Sequence, residues 1–314
     1  MADLFPIIDV PAASANSTEA MGTKRKFWYF DSGAEFLFKQ ATPATGEDWA
    51  EKIASELCEL VGLPHADYDL ALCEGKRGCV SPKFVPEGMA LFHGNEILLA
   101  IDPNYPATST GSRNFYRVSQ HRLDVVSEIL RLAKPPLGWT PPPKHETGSQ
   151  IFAGYVLFDA WIGNSDRHHE NWALIIKRST AQDKDLRLYL SPTYDHASSL
   201  GRNESDAARR MRLQRRDPKY TVEAYATKCR SAFFDKVGDS KAMTTFQAAE
   251  KVAGIEPVAS ADWIEAIANV SLGVLEELFA RIPPNMISPT AIEFAIMVLQ
   301  FNRNRLLSIL EKLK

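Results

Sequence analysis

The sequence predicts an α+β fold in two lobes, a small mixed β-sheet lobe followed by a larger and mainly helical one. Three observations predict it: strand-length aromatic and apolar runs crowd the first hundred residues, an almost wholly apolar segment of helical length lies mid-chain, and helix-period stripes fill the last hundred residues. A chain of 314 residues, 45% of them hydrophobic, can bury a core large enough for both lobes.

The first twenty residues, MADLFPIIDVPAASANSTEA, are small and polar with little periodicity and read as a flexible arm over 1–20. KFWYF and EFLFKQ are strands joined by DSGA, a Ser–Gly turn that makes them a hairpin whose second strand ends at Lys39. From Gly46 to Val61 a helix is predicted, with Trp49, Ile53, Leu57, Leu60 and Val61 on one stripe, Gly62 as the stop and Pro64 beyond. YDLALC and GCVSPKFV flank the turn EGKRG as further strands, and NEILLA closes the unit as a short helix or strand, giving a small lobe over 21–100. A connecting segment over 101–147 follows: DPNYPATSTGSRN is loop-like, HRLDVVSEILRLA is a helix, and KPPLGWTPPPKHETG is rich in proline. SQIFAGYVLFDAWIG then reads as the central buried helix of a helical lobe over 148–314. WALIIK and LRLYL, separated by RSTAQDKD, form a second hairpin, SPTYDHASSLG leaves it as a loop, and four apolar stripes carry the chain to its end in helices. There is no internal repeat.

The net charge of −3 argues against a field that drives the chain onto nucleic acid or an anionic membrane, so no direct DNA binding is expected and basic recognition must be local. No apolar run approaches the roughly 18–20 residues needed to span a bilayer, and the start lacks a basic head before an apolar stretch, so a cytoplasmic location is expected. Cys58, Cys73, Cys79 and Cys229 show no C-x-x-C spacing; reduced thiols and no structural zinc are expected.

The chemistry concentrates in GNSDRHHEN, residues 163–171. A zinc site needs three or four converging ligands, with a helical pair spaced i and i+4, and His168, His169 and His196 offer no such spacing. Metal-dependent phosphohydrolases with a His-Asp dipeptide need that order, whereas here Asp195 precedes His196. Taken alone, the cluster reads as a solvated loop. Its surroundings point elsewhere: the loop supplies Asp166 and Asn171, a hairpin follows, and the far end of the hairpin supplies Asp195. Asn171 and Asp195 offer hard oxygen ligands to Mg²⁺, while Asp166 is left to orient or deprotonate a hydroxyl, a trio suited to phosphoryl transfer. Upstream, the strand lysine Lys39 precedes a helix carrying Glu51, the pairing that holds the phosphates of ATP in kinases. CVSPKFVPEG runs from a strand into a loop at the lobe junction, so backbone groups near Lys83 and Phe84 are candidates to bond adenine.

GNSDRHHEN followed by LSPTYDHASSLG resembles the D-x-H-x-x-N and Y-D-x-x-S signatures of the HipA-like serine/threonine kinases, which share this logic with phosphatidylinositol kinases. EKIASELCELVGLP matches the family pattern of a Glu-led helix ending in Gly-Leu-Pro, and the resemblance runs from about Gly22 to Gly201. It implies a two-lobed protein-kinase-like fold, ATP and Mg²⁺ as cofactors, and transfer to a protein Ser or Thr. Asp166 would be catalytic, Asn171 and Asp195 the metal ligands, Lys39 the phosphate-binding lysine and Glu51 its partner. His168 would be a structural or nucleotide-side residue, and Tyr194 would sit beside the metal-binding aspartate. Arg167 and His169 are expected to face solvent or bridge to neighbouring carboxylates.

The family's extra amino-terminal subdomain and its Ser-Gly-x-Gln-Pro-Lys phosphate loop are not visible. The nearest candidate loop is STEAMGTKRKFW, with Gly22 and Lys24 or Lys26, and Ser14, Ser17 and Thr18 match the region that relatives autophosphorylate. The resemblance makes an aminoacyl-tRNA synthetase the expected acceptor, and an antitoxin or a small companion protein a candidate partner. Two other readings remain open: a lipid or small-molecule kinase using the same ATP residues, and a nucleotide-binding regulatory module. GRNESDAARRMRLQRRDPK, placed where kinases recognise substrates, reads either as a site for an anionic partner or as a solvated charged helix.

Overall fold

The computed structural model describes residues 3–11, 17–18, 25–106, 118–177 and 187–314. The first sheet is built by two tight hairpins. In one, β3 (Lys26–Asp31) turns through Ser32 (φ 49°) and Gly33 (φ 85°) into β4 (Ala34–Gln40). In the other, β5 (Asp69–Cys73) turns through Glu74 (φ 51°) and Gly75 (φ 71°) into β6 (Lys76–Pro82). Positive φ at both central residues gives a turn whose twist matches that of the strands it joins. The second turn is therefore two residues long, and Lys76 and Arg77, expected in the turn, belong to the strand.

With β1 (Ile7–Asp9) and β2 (Ser17–Thr18) the sheet has six strands in the order β1-β5-β6-β4-β3-β2. The start of the chain departs from the expected flexible arm. β1 pairs in parallel with β5, Phe5 and Val10 are buried, and the Phe5 N–H donates to Arg281 O at 2.7 Å. A three-residue strand shows no period in sequence; burial of two apolar side chains holds it.

α1 (Glu47–Val61) ends on Gly62 at φ 72° and buries Trp49, Ile53, Leu57 and Val61, while Leu60, expected on the same stripe, is exposed. A second sheet has the order β7-β8-β9, from β7 (Met89–His93), β8 (Ala173–Lys177) and β9 (Arg187–Leu190), all antiparallel. β7 was not expected as a strand, and NEILLA resolves as part of helix α2 (Gly94–Ile101). RSTAQDKD and much of DPNYPATSTGSRN lie outside the described residues.

After α3 (Leu123–Leu130), α4 (Gly148–Ile162) starts on a capping box in which Thr147 and Gln150 satisfy each other's backbone N–H groups. Every residue of α4 except Gln150 is buried, which is why its sequence is apolar all round. A side chain at Gly154 would collide with Leu63 and Trp263, so glycine permits the close approach of the neighbouring elements. Around α4 pack α7 (Thr245–Ile255), α8 (Pro257–Ala268) and α10 (Pro289–Leu313), with α5 (Asp206–Gln214), α6 (Val222–Ala226) and α9 (Leu272–Ala280) completing the lobe. One continuous core takes in Ile53 and Leu57 of α1 with Leu157 and Phe158 of α4, so α1 belongs to the interior of both lobes. Among the described residues no single helix is long and apolar enough to cross a membrane.

Candidate active site

α4 ends at Gly163 (φ 66°), and the loop that follows is folded around one buried ion pair. Arg167, 1% exposed, forks onto Asp159 with Nε–Oδ2 at 2.7 Å and Nη2–Oδ1 at 2.8 Å. Its Nη1 donates to Asn171 O at 2.7 Å and to Tyr194 O at 3.3 Å. The bridging alternative for Arg167 is thus the observed one; it does not face solvent. Burial opposes the charge of Arg167, but Asp159 more than offsets it and raises its pKa. Asn164 braces the same corner, donating from Nδ2 to Asp159 Oδ1 at 2.8 Å and accepting the Asp166 N–H at 3.1 Å. His169 is buried too, with Nδ1 2.7 Å from the Tyr105 hydroxyl; burial, aided by His168, pulls its pKa down to about 4.

Asp195 stands in the left-handed region at φ 61°, which Asp tolerates better than most side chains. Its carboxylate forms an ion pair with Lys39 Nζ at 3.4 Å. Past this bend the N–H groups of His196 and Ala197 donate to Glu51 Oε1 at 2.7 Å and Oε2 at 2.9 Å. Glu51 therefore departs from expectation: it does not pair with Lys39. Its carboxylate, wholly buried, has both oxygens taken by backbone that the left-handed residue presents, and His196 Nδ1 lies 3.5 Å away. Lys39 turns instead to Asp195 and to the Tyr68 hydroxyl at 3.3 Å. Burial pulls the Lys39 pKa down, but the Asp195 charge reverses this and holds it well above the ordinary lysine value. Burial likewise pushes Asp195 up, and Lys39, with Lys26 and His168, drives it below the usual carboxylate range. Both groups are charged at neutral pH.

Asp166 is held on several sides. Ser198 Oγ donates to Oδ2 at 3.2 Å, Arg202 Nη2 donates to Ser198 Oγ at 2.8 Å, and His168 Nε2 lies 3.6 Å from Oδ1. Asn171 Nδ2 donates to Asp166 O at 2.5 Å, which fixes the amide so that Oδ1 is its outward oxygen.

Between the two sheets lies a cavity of about 340 Å³, within the range of small-molecule sites. Of the residues predicted from sequence, Lys39, Lys83, Phe84, His168, Asn171, Tyr194 and Asp195 all line it, as does Lys26. Asp166 and Glu51 do not line it; each is one contact behind a residue that does, through Asn171 and through the backbone after Asp195. Gly22, Lys24 and Ser14 lie outside the described residues. Tyr194 stacks on Phe84 with ring centres 5.8 Å apart, donates to Glu170 O at 2.8 Å and lies 3.0 Å from His93 Nδ1. The Lys83 N–H is already given to Glu35 O at 2.8 Å, so it is not available to a ligand.

No protein-family model matches the chain, and no curated protein matches its sequence. Solved structures do. Over 98% of this chain and 98% of the other, the structure is similar to the Helicobacter pylori proinflammatory kinase CtkA, with a TM-score of 0.67 at 15% identity. The chain has a kinase fold. It is also similar to the toxin HipA of Shewanella oneidensis MR-1, solved with HipB and its operator DNA, with a TM-score of 0.55 at 11% identity. That likeness covers 94% of this chain and 66% of HipA. The HipA-like kinase fold is the one that the motifs around Asp166 and Asp195 led the sequence to resemble.

Within this kinase fold, sequence reasoning missed several residues at the site. Tyr68 and His93 line the cavity but sit in runs that carry no motif. Asp159 had a signal: a lone carboxylate inside a wholly apolar helix needs a buried cation, and an arginine follows eight residues later. Ser198 lies within the resemblance, three residues after Asp195, but its contact with Asp166 could not be read from spacing.

Proposed function

We propose that the chain transfers the γ-phosphoryl group of ATP to a Ser or Thr hydroxyl of a protein, with Mg²⁺ as cofactor. The observation that carries this is the single cavity lined at once by Lys39, Asn171 and Asp195, with Asp166 directly behind the Asn171 amide. The donor set fits a hard cation: an ionised Asp195 carboxylate and the Asn171 Oδ1 are the oxygens available, and a nucleotide would complete the shell. When bound, magnesium would screen the charge that builds between the β- and γ-oxygens.

The chain's own residues do the rest. Lys39, kept protonated by Asp195, offers its ammonium to phosphate oxygens. The Lys83 carbonyl and Phe84 N–H, which follow β6 at the cavity wall, would bond adenine, and Leu37, Leu91 and the Phe84–Tyr194 pair would cover its ring. Asp166 accepts the hydrogen bond of the acceptor hydroxyl and takes its proton as the phosphoryl group moves. Glu51 contributes by holding the backbone that aims Asp195, not by touching the nucleotide.

The likeness to HipA, solved with HipB, supports a toxin-like role with an antitoxin or small companion as partner; a protein acceptor, with an aminoacyl-tRNA synthetase to test first, follows from the sequence resemblance around Asp166 and Asp195. Purified chain is incubated with labelled ATP, Mg²⁺ and bacterial lysate, and the labelled protein is identified. Asp166→Asn should abolish labelling while sparing ATP binding; undiminished labelling would remove the assignment. Label in an organic-extractable product instead would make the acceptor a lipid.

A further inference from the structure

Residues 201–219 run against the charge of the rest of the molecule, with six arginines and one lysine against three acids in a chain of net charge −3. Three of the arginines are consumed inside the fold: Arg202 pairs with Glu47, Arg209 with Asp206 at 2.8 Å, and Arg212 with Glu204 at 2.8 Å. The other four cations, Arg210, Arg215, Arg216 and Lys219, are exposed; Arg210 stands near enough to Asp206 to help lower its pKa, but among the described residues none of the four forms a direct ion pair. Like charges so close in sequence repel one another, so their clustering is a cost that an anion would relieve. Two large apolar side chains stand exposed among them, Met211 at 52% and Tyr220 at 53%, and the Arg215 guanidinium lies 5.4 Å from the Tyr220 ring. Arginine, tyrosine and methionine are the residue types enriched where proteins meet proteins.

This face is tied to the proposed reaction centre by a chain of contacts. Asp166 meets Ser198 at 3.2 Å, Ser198 meets Arg202 at 2.8 Å, and Arg209, next to Arg210 on α5, donates to Gly201 O at 3.0 Å. These contacts join the first half of α5 to Asp166 through Gly201, Arg202 and Ser198.

We propose that α5 and the turn after it dock an acidic segment, rich in Asp and Glu, of the acceptor polypeptide beside the phosphorylated hydroxyl. The inference rests on the phosphoryl-transfer reading and names its substrate class. A nucleic acid is disfavoured as occupant because the molecule as a whole is acidic and would repel a long polyanion.

Fluorescent peptides that carry one serine flanked either by Asp and Glu or by Ala are titrated with the purified chain at low salt, then offered as acceptors with Mg²⁺ and ATP. The acidic peptide should bind about tenfold more tightly than the alanine one, and added salt should erase the difference. In R215E/R216E/K219E the preference should vanish while ATP affinity and melting temperature stay unchanged. Equal binding of the two peptides, a preference that survives the triple substitution, or single-stranded RNA displacing the acidic peptide would each overturn the proposal. Acidic preference in binding with no phosphorylation of any acceptor would keep the surface and sink the kinase reading. Phosphorylation without acidic preference would do the reverse.

Discussion

Replacing Glu51 by Ala separates the two roles that its position allows. In the structure its carboxylate accepts the N–H groups of His196 and Ala197 at 2.7 and 2.9 Å and is wholly buried. Removing it strands one buried and one half-buried donor, each costing about 1–3 kcal/mol, so the expected loss is about 4 kcal/mol. That is a large part of the roughly 5–15 kcal/mol that holds a typical fold together. Lys39→Ala, by contrast, removes a cavity-facing ammonium whose Asp195 partner is 40% exposed, so it should cost less stability than Glu51→Ala while weakening ATP binding more. Urea unfolding followed by tryptophan fluorescence measures the first, since a slope of about 3 kcal/mol/M turns the loss into a midpoint shift of about 1.3 M. Calorimetry with Mg²⁺-ATP measures the second. Glu51→Gln should fall between, because an amide can accept only one of the two N–H groups. A midpoint shift below about 0.3 M for Glu51→Ala, with loss of ATP affinity equal to that of Lys39→Ala, would return Glu51 to the role of phosphate-lysine partner and refute the reasoning.

Ser198→Ala should lower turnover about tenfold at unchanged KM for ATP by loosening Asp166, and Ser198→Thr should restore it; steady-state kinetics of both variants check this. Arg167→Met leaves Asp159 as an uncompensated buried charge and should cost about 3–5 kcal/mol in the same unfolding assay. His121 is buried, with Nδ1 3.1 Å from Ala232 O and Nε2 accepting the Trp172 indole N–H at 3.1 Å, and burial holds its pKa well below the imidazole range. Its ring is neutral in the fold and charged in the unfolded chain below about pH 6.5, so its contribution is full above that pH and lost as pH falls. The loss is about 1.4 kcal/mol per pH unit; melting temperatures from pH 7.5 to 5.5 should drop less steeply in His121→Gln.

What could be read in sequence was local. The Ser32–Gly33 hairpin, the stripe of α1 apart from Leu60, and the apolar length of α4 each follow from neighbouring residues, and they stand in the structure. The pairing of β1 with β5 and of β7 with β8 joins residues from 63 to 88 apart in sequence, and nothing in a three- or five-residue strand names so distant a partner. At the site, Lys39, Asn171 and Asp195 were legible because their ammonium and oxygen groups stand at motif spacing, whereas Tyr68 and His93 were not. The partners of Glu51 were not, because they are backbone N–H groups, which every residue but proline carries and no motif marks. Burial of Arg167 was hidden for a related reason: its loop looks solvated until Asp159, inside the preceding helix, is taken with it.

The guanidinium of Arg167 grips the carbonyl of residue 171 with one nitrogen and that of residue 194 with the same nitrogen, while its other two anchor to the helix behind. One rigid planar ion thereby sets the gap between the two ends of the β8–β9 ribbon. The oxygens that face the cavity are thus registered from behind, by α4 and one side chain.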